Sequence, residues 1–249
     1  MLENFKAIFS LMKVGFLFLF FSLKLEATIA QNVIDTSESS LVREFNKRLS
    51  PQIRLYNGPS YVGFDGKLVG NPYLGDKIEF VRGEVDYDGF NFSDIPLMYD
   101  MAQEKLISIV PKGYAEFSLV SDKVTSFKIQ NKKFVNLKLK NDKGEPLHLG
   151  FYEQTYNGTI QVLVKLKKQV KEIVDTYGAR REFPLKVEYF ILTKDGQLHK
   201  INSESSFLRL FPNNKSELRR YAKQNDLKFK KDPVLTLNNL SKFYDSLAN

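Results

Sequence analysis

Alternating apolar and polar residues mark the middle of the chain, residues 83–130, as a series of short β-strands. In the first strand, Val85 and Tyr87 alternate with acidic residues that would point to the opposite side. Asp88-Gly89 follows, a dipeptide that favours a type I′ turn and therefore a hairpin. The later breaks between strands fall at 100–105, 111–113 and 121–123. This pattern predicts an antiparallel meander.

Two more hairpins are predicted farther along the chain, closed by Asn157-Gly158 and by Asp195-Gly196. The strand after the first turn carries apolar residues on one face, and its other face and end are basic. The basic residues are Lys165, Lys167, Lys168 and Lys171. We count about ten to twelve strands, more than a flat open sheet holds comfortably. We therefore expect a strongly curved antiparallel sheet, a half-barrel or barrel-like structure.

From Ser203 onward the apolar spacing becomes helical. Asn214 and Glu217 match a capping box at the start of one helix, and Asp232-Pro233 matches the N-cap and first residue of the last helix. The apolar stripes of these helices are Leu218, Tyr221 and Ala222 in the first, and Leu237, Leu240, Tyr244 and Leu247 in the second. The predicted fold is mainly β with a helical C-terminus, its sheet packed by two or three C-terminal helices.

The first 30 residues have the features of a cleaved secretory signal peptide. Lys6 and Lys13 precede a ten-residue apolar run, and Thr28 and Ala30 place small residues before a cleavage site at Gln31. The alternative is an uncleaved membrane anchor, but the run is shorter than the roughly 20 residues a spanning helix needs. We expect an exported protein, in the periplasm or associated with the outer membrane.

The remaining chain divides into three predicted parts. Residues 31–55 form a polar segment with a short helix near 41–49, residues 56–202 an antiparallel β domain, and residues 203–249 a basic helical segment.

The amino-acid composition excludes several kinds of functional site. The chain has no cysteine, which excludes disulfides, thiol nucleophiles, thiolate metal sites and a lipidated N-terminal cysteine. Only His148 and His199 supply imidazoles, and we read both as ordinary polar residues. We expect no cofactor and no metal. The formal net charge of +8 suits an anionic partner, and export argues against nucleic acid.

Familiar catalytic motifs are missing from the sequence. Four acids lie close together along the chain: Asp86, Asp88, Asp94 and Asp100. A carboxylate pair or calcium site is one reading, but the rest of a calcium loop is missing. We expect Asp88 to form the turn and the other three to face water. A hydrolase of unfamiliar type using Asp100 or His148 is the less favoured alternative.

Three tyrosines, Tyr56, Tyr61 and Tyr73, lie among the glycines and prolines that precede the meander. They could line a sugar or lipid pocket. The favoured reading is that they pack a loop onto the sheet, with their hydroxyl groups at the surface.

Positive charge is concentrated in 17 residues near the C-terminus. The cations are Lys215, Arg219, Arg220, Lys223, Lys228, Lys230 and Lys231. They are the candidate contact for an anionic lipid or for another envelope protein. A solvated helix face is the simpler interpretation of the same residues.

Several short motifs resemble a group of secreted proteins of Bacteroidota with no established activity. They are Tyr56-Asn57-Gly58-Pro59-x-Tyr61, Asn71-Pro72-Tyr73, Gly83-x-Val85-x-Tyr87-Asp88-Gly89, Leu97-x-Tyr99-Asp100, the Ala30-Gln31 junction and the basic stretch 215–231 with its terminal helix. The likeness covers most of the mature chain. The predicted architecture is also similar to half-barrel envelope carriers of the lipoprotein-carrier type.

These observations favour a non-enzymatic exported envelope protein that binds or scaffolds a partner. The alternative is a periplasmic lipid or lipoprotein carrier whose curved sheet encloses a cavity.

Overall fold

The computed structural model describes residues 54–110, 113, 115–140, 146–176 and 178–247. The predicted signal peptide and nearly all of the 31–55 segment lie outside these residues. The account below concerns the unit Leu55–Asn249.

Strand accounts for 46% of the described residues, so the protein is mainly β, as predicted. The strands are β1 (Leu68–Val69), β2 (Val81–Tyr87), β3 (Phe90–Asp100), β4 (Lys105–Ile109), β5 (Glu116–Ser118), β6 (Val124–Ile129), β7 (Lys132–Lys140), β8 (Pro146–Asn157), β9 (Gln161–Lys168), β10 (Lys171–Asp175), β11 (Gly178–Glu182), β12 (Leu185–Leu192) and β13 (Leu198–Ile201). The C-terminal helices are α1 (Glu204–Leu208), α2 (Lys215–Gln224) and α3 (Pro233–Leu247).

Ten strands form one antiparallel sheet in the order β13-β12-β9-β8-β7-β6-β2-β3-β4-β5. A simple meander would place β6 beside β5, but β6 pairs with β2 instead. The sheet therefore consists of two meanders that meet along the β2–β6 ladder. Hydrophobic alternation identifies strands but carries no information about which edge a returning strand joins.

The predicted turn between β2 and β3 is confirmed. Asp88 and Gly89 both have positive φ, 52° and 81°, as a type I′ turn requires. Gln130 and Asn131 do the same between β6 and β7, with φ of 51° and 61°, although their sequence carries no glycine.

A second, three-stranded sheet has the order β1-β11-β10. Its strands β10 and β11 continue the β9–β12 hairpin, since Lys168 pairs with Leu185 and Lys171 pairs with Glu182. We call the β10–β11 hairpin the arm.

The centre of the core is aromatic. Tyr99, Phe127, Phe134 and Phe151 are all buried, and the rings of Phe127 and Phe134 stack with centroids 4.8 Å apart. The strand registers place Phe134 in one row with Glu153 and Val164, so the aromatic cluster and β9's Val164 share a face of the sheet.

The helices cover the same face at the β9–β12 end. Val162 and Ile191 from the sheet pack there with helical apolar residues in one buried cluster. The helical members are Phe207, Leu208, Leu218, Ala222, Leu237 and Leu240. The prediction of C-terminal helices packed on an antiparallel sheet is confirmed.

Helix capping was predicted correctly at one helix and wrongly at another. Asp232 accepts a hydrogen bond from the backbone N–H of Leu235 at 2.9 Å, as expected of an N-cap before Pro233. Asn214, however, makes no side-chain capping bond. The capping box lies instead at the start of α1, between the N-cap Ser203 and Ser206 in the first turn. Asn214 is the last residue of a 3-10 turn, and its φ of −106° and ψ of 7° lie outside the extended region that a capping residue usually adopts.

The stripe of α3 is buried at Leu237 and Leu240, but Leu247, the last residue of the helix, is 36% exposed.

Candidate functional site

Helix α2 is amphipathic and docks through its apolar stripe, as its spacing predicted. Leu218 and Ala222 are buried against the other helices. The ring of Tyr221 stacks on Phe243 of α3, with centroids 4.1 Å apart and an interplanar angle of 6°. Because this face is fixed inward, the opposite face of α2 must point to water.

That outward face and the connection after it carry all seven cations singled out in the sequence. Every one of them is exposed. We call this set the basic surface: Lys215, Arg219, Arg220, Lys223, Lys228, Lys230 and Lys231. Residues 215–231 also hold two acids, Glu217 and Asp226, so the net charge of the stretch is +5. Within the described residues only Lys228 has an ion-pair partner, Asp226 at 2.8 Å.

The connection between α2 and α3 is held in place by apolar side chains. Leu227 donates its backbone N–H to the carbonyl of Ala222 at 2.9 Å, and its side chain packs into the helical cluster. The ring of Phe229 meets Tyr189 of β12 edge-on at 5.8 Å. Lys228 and Lys230 alternate along the chain with Leu227 and Phe229. Their exposed ammonium groups therefore extend from a backbone that is held in place.

Asp100 was expected to face water, and that expectation is wrong. Its side chain is 0% exposed. One carboxylate oxygen accepts the hydroxyl of Tyr61 at 2.7 Å, and the other accepts the backbone N–H groups of Ala102 and Gln103 at 2.8 Å each. The Tyr73 hydroxyl lies 3.3 Å from that of Tyr61.

The three tyrosines pack against the sheet, as predicted. The prediction that their hydroxyl groups lie at the surface is wrong for Tyr61. Tyr56 packs edge-on against Phe117, at 5.5 Å between centroids. Burial, with hydrogen bonds to Tyr73 and Asp100, raises the pKa of Tyr61. A carboxylate with three donors and no exposed area is a structural anchor, because a substrate has no path to it.

The other three acids of the cluster lie apart from Asp100. Asp86 accepts hydrogen bonds from Asn91 and Ser126, which lower the pKa of its carboxyl group. Asp88 lies in the type I′ turn, 3.5 Å from the ammonium group of Lys123. Asp94 is exposed beside Arg82. In the part of the chain that the structure describes, no group of three or more His, Cys, Asp or Glu side chains is arranged to hold a metal ion.

The two histidines are not brought into a common site by any described contact. His148 lies in β8 opposite Lys138, not in a connection as predicted, and its side chain is outside the described atoms. His199 lies in β13, as predicted, opposite Ile191.

Sequence reasoning missed an ion pair between a buried lysine and a partly buried glutamate. Lys165 was assigned to a basic strand face, but it is only 8% exposed. Its ammonium nitrogen lies 2.7 Å from Oε1 of Glu104, 3.0 Å from the carbonyl oxygen of Leu149 and 4.7 Å from the centre of the Tyr152 ring. Burial lowers the pKa of Lys165, and Glu104 opposes that shift. The available signal was the apolar run around it, since a strand buried on both faces buries its lysine too.

Among the described residues, two other surface clefts are lined mostly by charges that are already paired. A cleft of about 550 Å³ beside the β6–β7 turn contains Arg82 and Lys128, whose partners are Asp94 and Glu84. A cleft of about 260 Å³ on the arm contains Arg181, which pairs with Asp65 and Glu172. In each cleft one lysine, Lys133 in the first and Lys67 in the second, has no ion-pair partner among the described residues, whereas the basic surface presents six such cations.

No helix among residues 54–110, 113, 115–140, 146–176 and 178–247 has the length and apolar character needed to cross a membrane. Comparison of the chain with protein-family models, with curated proteins and with solved structures found no match.

Proposed function

We propose that this protein is a non-catalytic, exported cell-envelope protein that docks onto an anionic membrane through the basic surface. The observation that carries the proposal is the arrangement of the seven cations. All are exposed on a backbone fixed by buried neighbours, and among the described residues only Lys228 is neutralised by an ion pair. The signal-like N-terminus and the resemblance to secreted Bacteroidota proteins support export.

The spread of the charges favours an extended anionic surface over a small ligand. Helix α2 alone is about 15 Å long at 1.5 Å per residue, and Lys228, Lys230 and Lys231 extend the charge beyond its end. Each exposed cation near an anionic bilayer contributes on the order of 1 kcal/mol. Salt weakens this attraction, since the screening length is about 8 Å at physiological ionic strength.

We propose a non-catalytic role because of where the candidate catalytic groups lie and what surrounds them. Asp100 is enclosed and fully bonded, which leaves it no capacity to act on a substrate. The basic surface supplies donors and positive charge but contains no nucleophile or general base poised by a neighbour.

We further infer that the ten-stranded sheet is strongly curved. Tyr99 on β3 and Phe151 on β8 have ring centroids 5.8 Å apart, although β2, β6 and β7 lie between their strands. On a flat sheet four strand spacings would separate them by about 19 Å. In addition, the backbone N–H of Lys168, on β9, donates to the carbonyl of Met101, just after β3, at 3.2 Å. Both contacts support a half-barrel.

The interior packing favours docking over lipid carriage. A carrier needs space for acyl chains inside the curved sheet. Tyr99, Phe127, Phe134 and Phe151 occupy that position, and each ring contacts at least two of the others.

Charge reversal on α2 tests the docking proposal. The variant Arg219→Glu/Arg220→Glu/Lys223→Glu should lose most of its binding to phosphatidylglycerol-containing vesicles in cosedimentation at low salt. Its melting temperature should stay close to wild type, because exposed substitutions usually change stability little. Wild-type binding should weaken at physiological salt and be absent with neutral vesicles.

A matched control reverses three exposed lysines outside the basic surface, Lys77→Glu/Lys133→Glu/Lys194→Glu, with the same change in net charge. This control should retain most of the binding. Equal loss in both variants would reduce the effect to overall charge, and no loss in either would refute the docking role of α2.

A further inference from the structure

Strand β10 is an open sheet edge within the described residues. It is the outermost strand of the β1-β11-β10 sheet, so one row of its backbone N–H and C=O groups has no strand partner. The short edge strand β5 differs, because a neighbouring segment covers it. There Tyr61 donates its N–H to the carbonyl of Glu116, and Ser118 donates to that of Pro59, at 3.0 and 2.9 Å.

The sequence of β10, Lys171-Glu172-Ile173-Val174-Asp175, is complementary to its own reverse at the two ends and the centre, while Glu172 and Val174 lie opposite each other. In an antiparallel pair centred on Ile173, Lys171 lies opposite Asp175 at both ends of the ladder. Ile173 lies opposite its own copy on the same face. Strand β13 has no such property, since reversal would place His199 opposite Lys200.

We propose that β10 pairs with β10 of a second copy of this chain, antiparallel and centred on Ile173. The pairing is isologous, because a two-fold axis through Ile173 exchanges the two strands. It satisfies the open edge and places Glu172 of the partner subunit opposite Val174, whose side chain is 79% exposed. Asp175, which already pairs with Arg180 in its own hairpin, gains Lys171 of the partner subunit as a second cation.

The dimer is weak and concentration-dependent. Five residue pairs bury far less than the roughly 1,200 Å² at the lower end of stable interfaces. The inference does not rest on the membrane role. It adds to that role, because two linked basic surfaces bind an anionic membrane with higher avidity than one.

Disulfide trapping tests the register, since the chain contains no other cysteine. Opposed residues in an antiparallel ladder have Cα atoms about 4.5–5.5 Å apart, inside the range a disulfide spans. Ile173→Cys should therefore form a covalent dimer under mild oxidation. Glu172→Cys is the matched control, because its copies lie on the diagonal, about 7–8 Å apart. Equal cross-linking at both positions would overturn the register.

A charge-swap series tests the dimer without a covalent bond. In sedimentation velocity, the wild type should shift toward twice the monomer mass as concentration rises. Lys171→Glu should remain monomeric, and Lys171→Glu/Asp175→Lys should recover the shift. A wild type that stays monomeric at its solubility limit, or a double variant that fails to recover while its circular dichroism is unchanged, would refute the dimer. Vesicle binding by the monomeric variant reports the docking proposal separately.

Discussion

At the scale of single residues, the buried tyrosines differ in what their hydroxyl groups do. Tyr61 donates to the enclosed carboxylate of Asp100, whereas the hydroxyl groups of Tyr87 and Tyr99 are buried without a hydrogen-bond partner in the described part of the chain. A buried donor bonded to a carboxylate stabilises the fold, and one without a partner carries an uncompensated desolvation cost.

Removing these hydroxyl groups should therefore have opposite effects. Tyr61→Phe should lower the free energy of unfolding by roughly 1.5–3 kcal/mol, because Asp100 loses a donor to a buried carboxylate. Tyr87→Phe should leave the free energy of unfolding unchanged or raise it. Urea denaturation monitored by circular dichroism measures both.

The two variants serve as controls for each other, since each removes one oxygen from a buried ring. A similar loss of unfolding free energy in both variants would contradict a stabilising role for the Tyr61–Asp100 hydrogen bond. Tyr73→Phe, which removes a hydroxyl 3.3 Å from that of Tyr61, should cost less than Tyr61→Phe.

At the scale of elements, one carboxylate ties the last helix to the sheet. Oδ2 of Asp245 in α3 accepts the hydroxyl of Tyr156 at 2.8 Å and the backbone N–H of Thr159 at 2.9 Å. A Cβ atom on Gly158 would lie 1.9 Å from the same oxygen, so only glycine leaves room for this contact. Burial and the hydrogen bond to Asp245 raise the pKa of Tyr156 to about 12.

This shift predicts a stability change at alkaline pH. The pKa of an unfolded tyrosine is near 10.0, so folding favours the protonated Tyr156. Its contribution is complete below pH 10 and is lost as pH rises toward about 12. The free energy of unfolding should fall across this window more steeply in wild type than in Tyr156→Phe.

Urea denaturation at several pH values in that window checks the prediction. Other tyrosines and lysines titrate in both proteins, so the difference between the two slopes isolates Tyr156. Parallel curves for wild type and Tyr156→Phe would show that docking of α3 does not involve this proton.

At the scale of the whole molecule, contacts join β9 to the end of β3, although these two strands are far apart in the order of the sheet. Besides the Lys168–Met101 backbone bond, the ammonium of Lys168 donates to the carbonyls of Asn71 and Tyr73, at 2.7 and 2.8 Å. The Lys165–Glu104 ion pair joins the same regions. These contacts connect β9 and the end of β3, which have four other strands between them in the order of the sheet.

A double-mutant cycle measures what the Lys165–Glu104 pair contributes. Glu104→Leu alone should lower the free energy of unfolding by roughly 1–3 kcal/mol, because it leaves a buried ammonium without its carboxylate. Lys165→Met/Glu104→Leu should recover much of that loss, since apolar replacements of a buried pair are often tolerated. Additive losses in the cycle would contradict a direct coupling across the sheet.

The sequence by itself determined the fold class, several turns and the faces of the helices. Alternation at Val85 and Tyr87 follows from the two-residue period of a strand, and positive φ at Asp88-Gly89 follows from local sterics. The stripe of Leu218 and Ala222 and the cap at Asp232 are equally local. The exposure of the basic surface then follows. When the apolar stripe of α2 is buried, the cations on the opposite face of the helix must point to water.

Only the tertiary structure decided which strands meet and which charges are buried. The pairing of β6 with β2, and the departure of β10 and β11 into a second sheet, depend on contacts between distant segments. Asp100 and Lys165 look like ordinary surface charges in sequence. Each is buried because a segment far away in the chain supplies its partner, Tyr61 in one case and Glu104 in the other. A local pattern cannot identify a partner that lies 39 or 61 positions away.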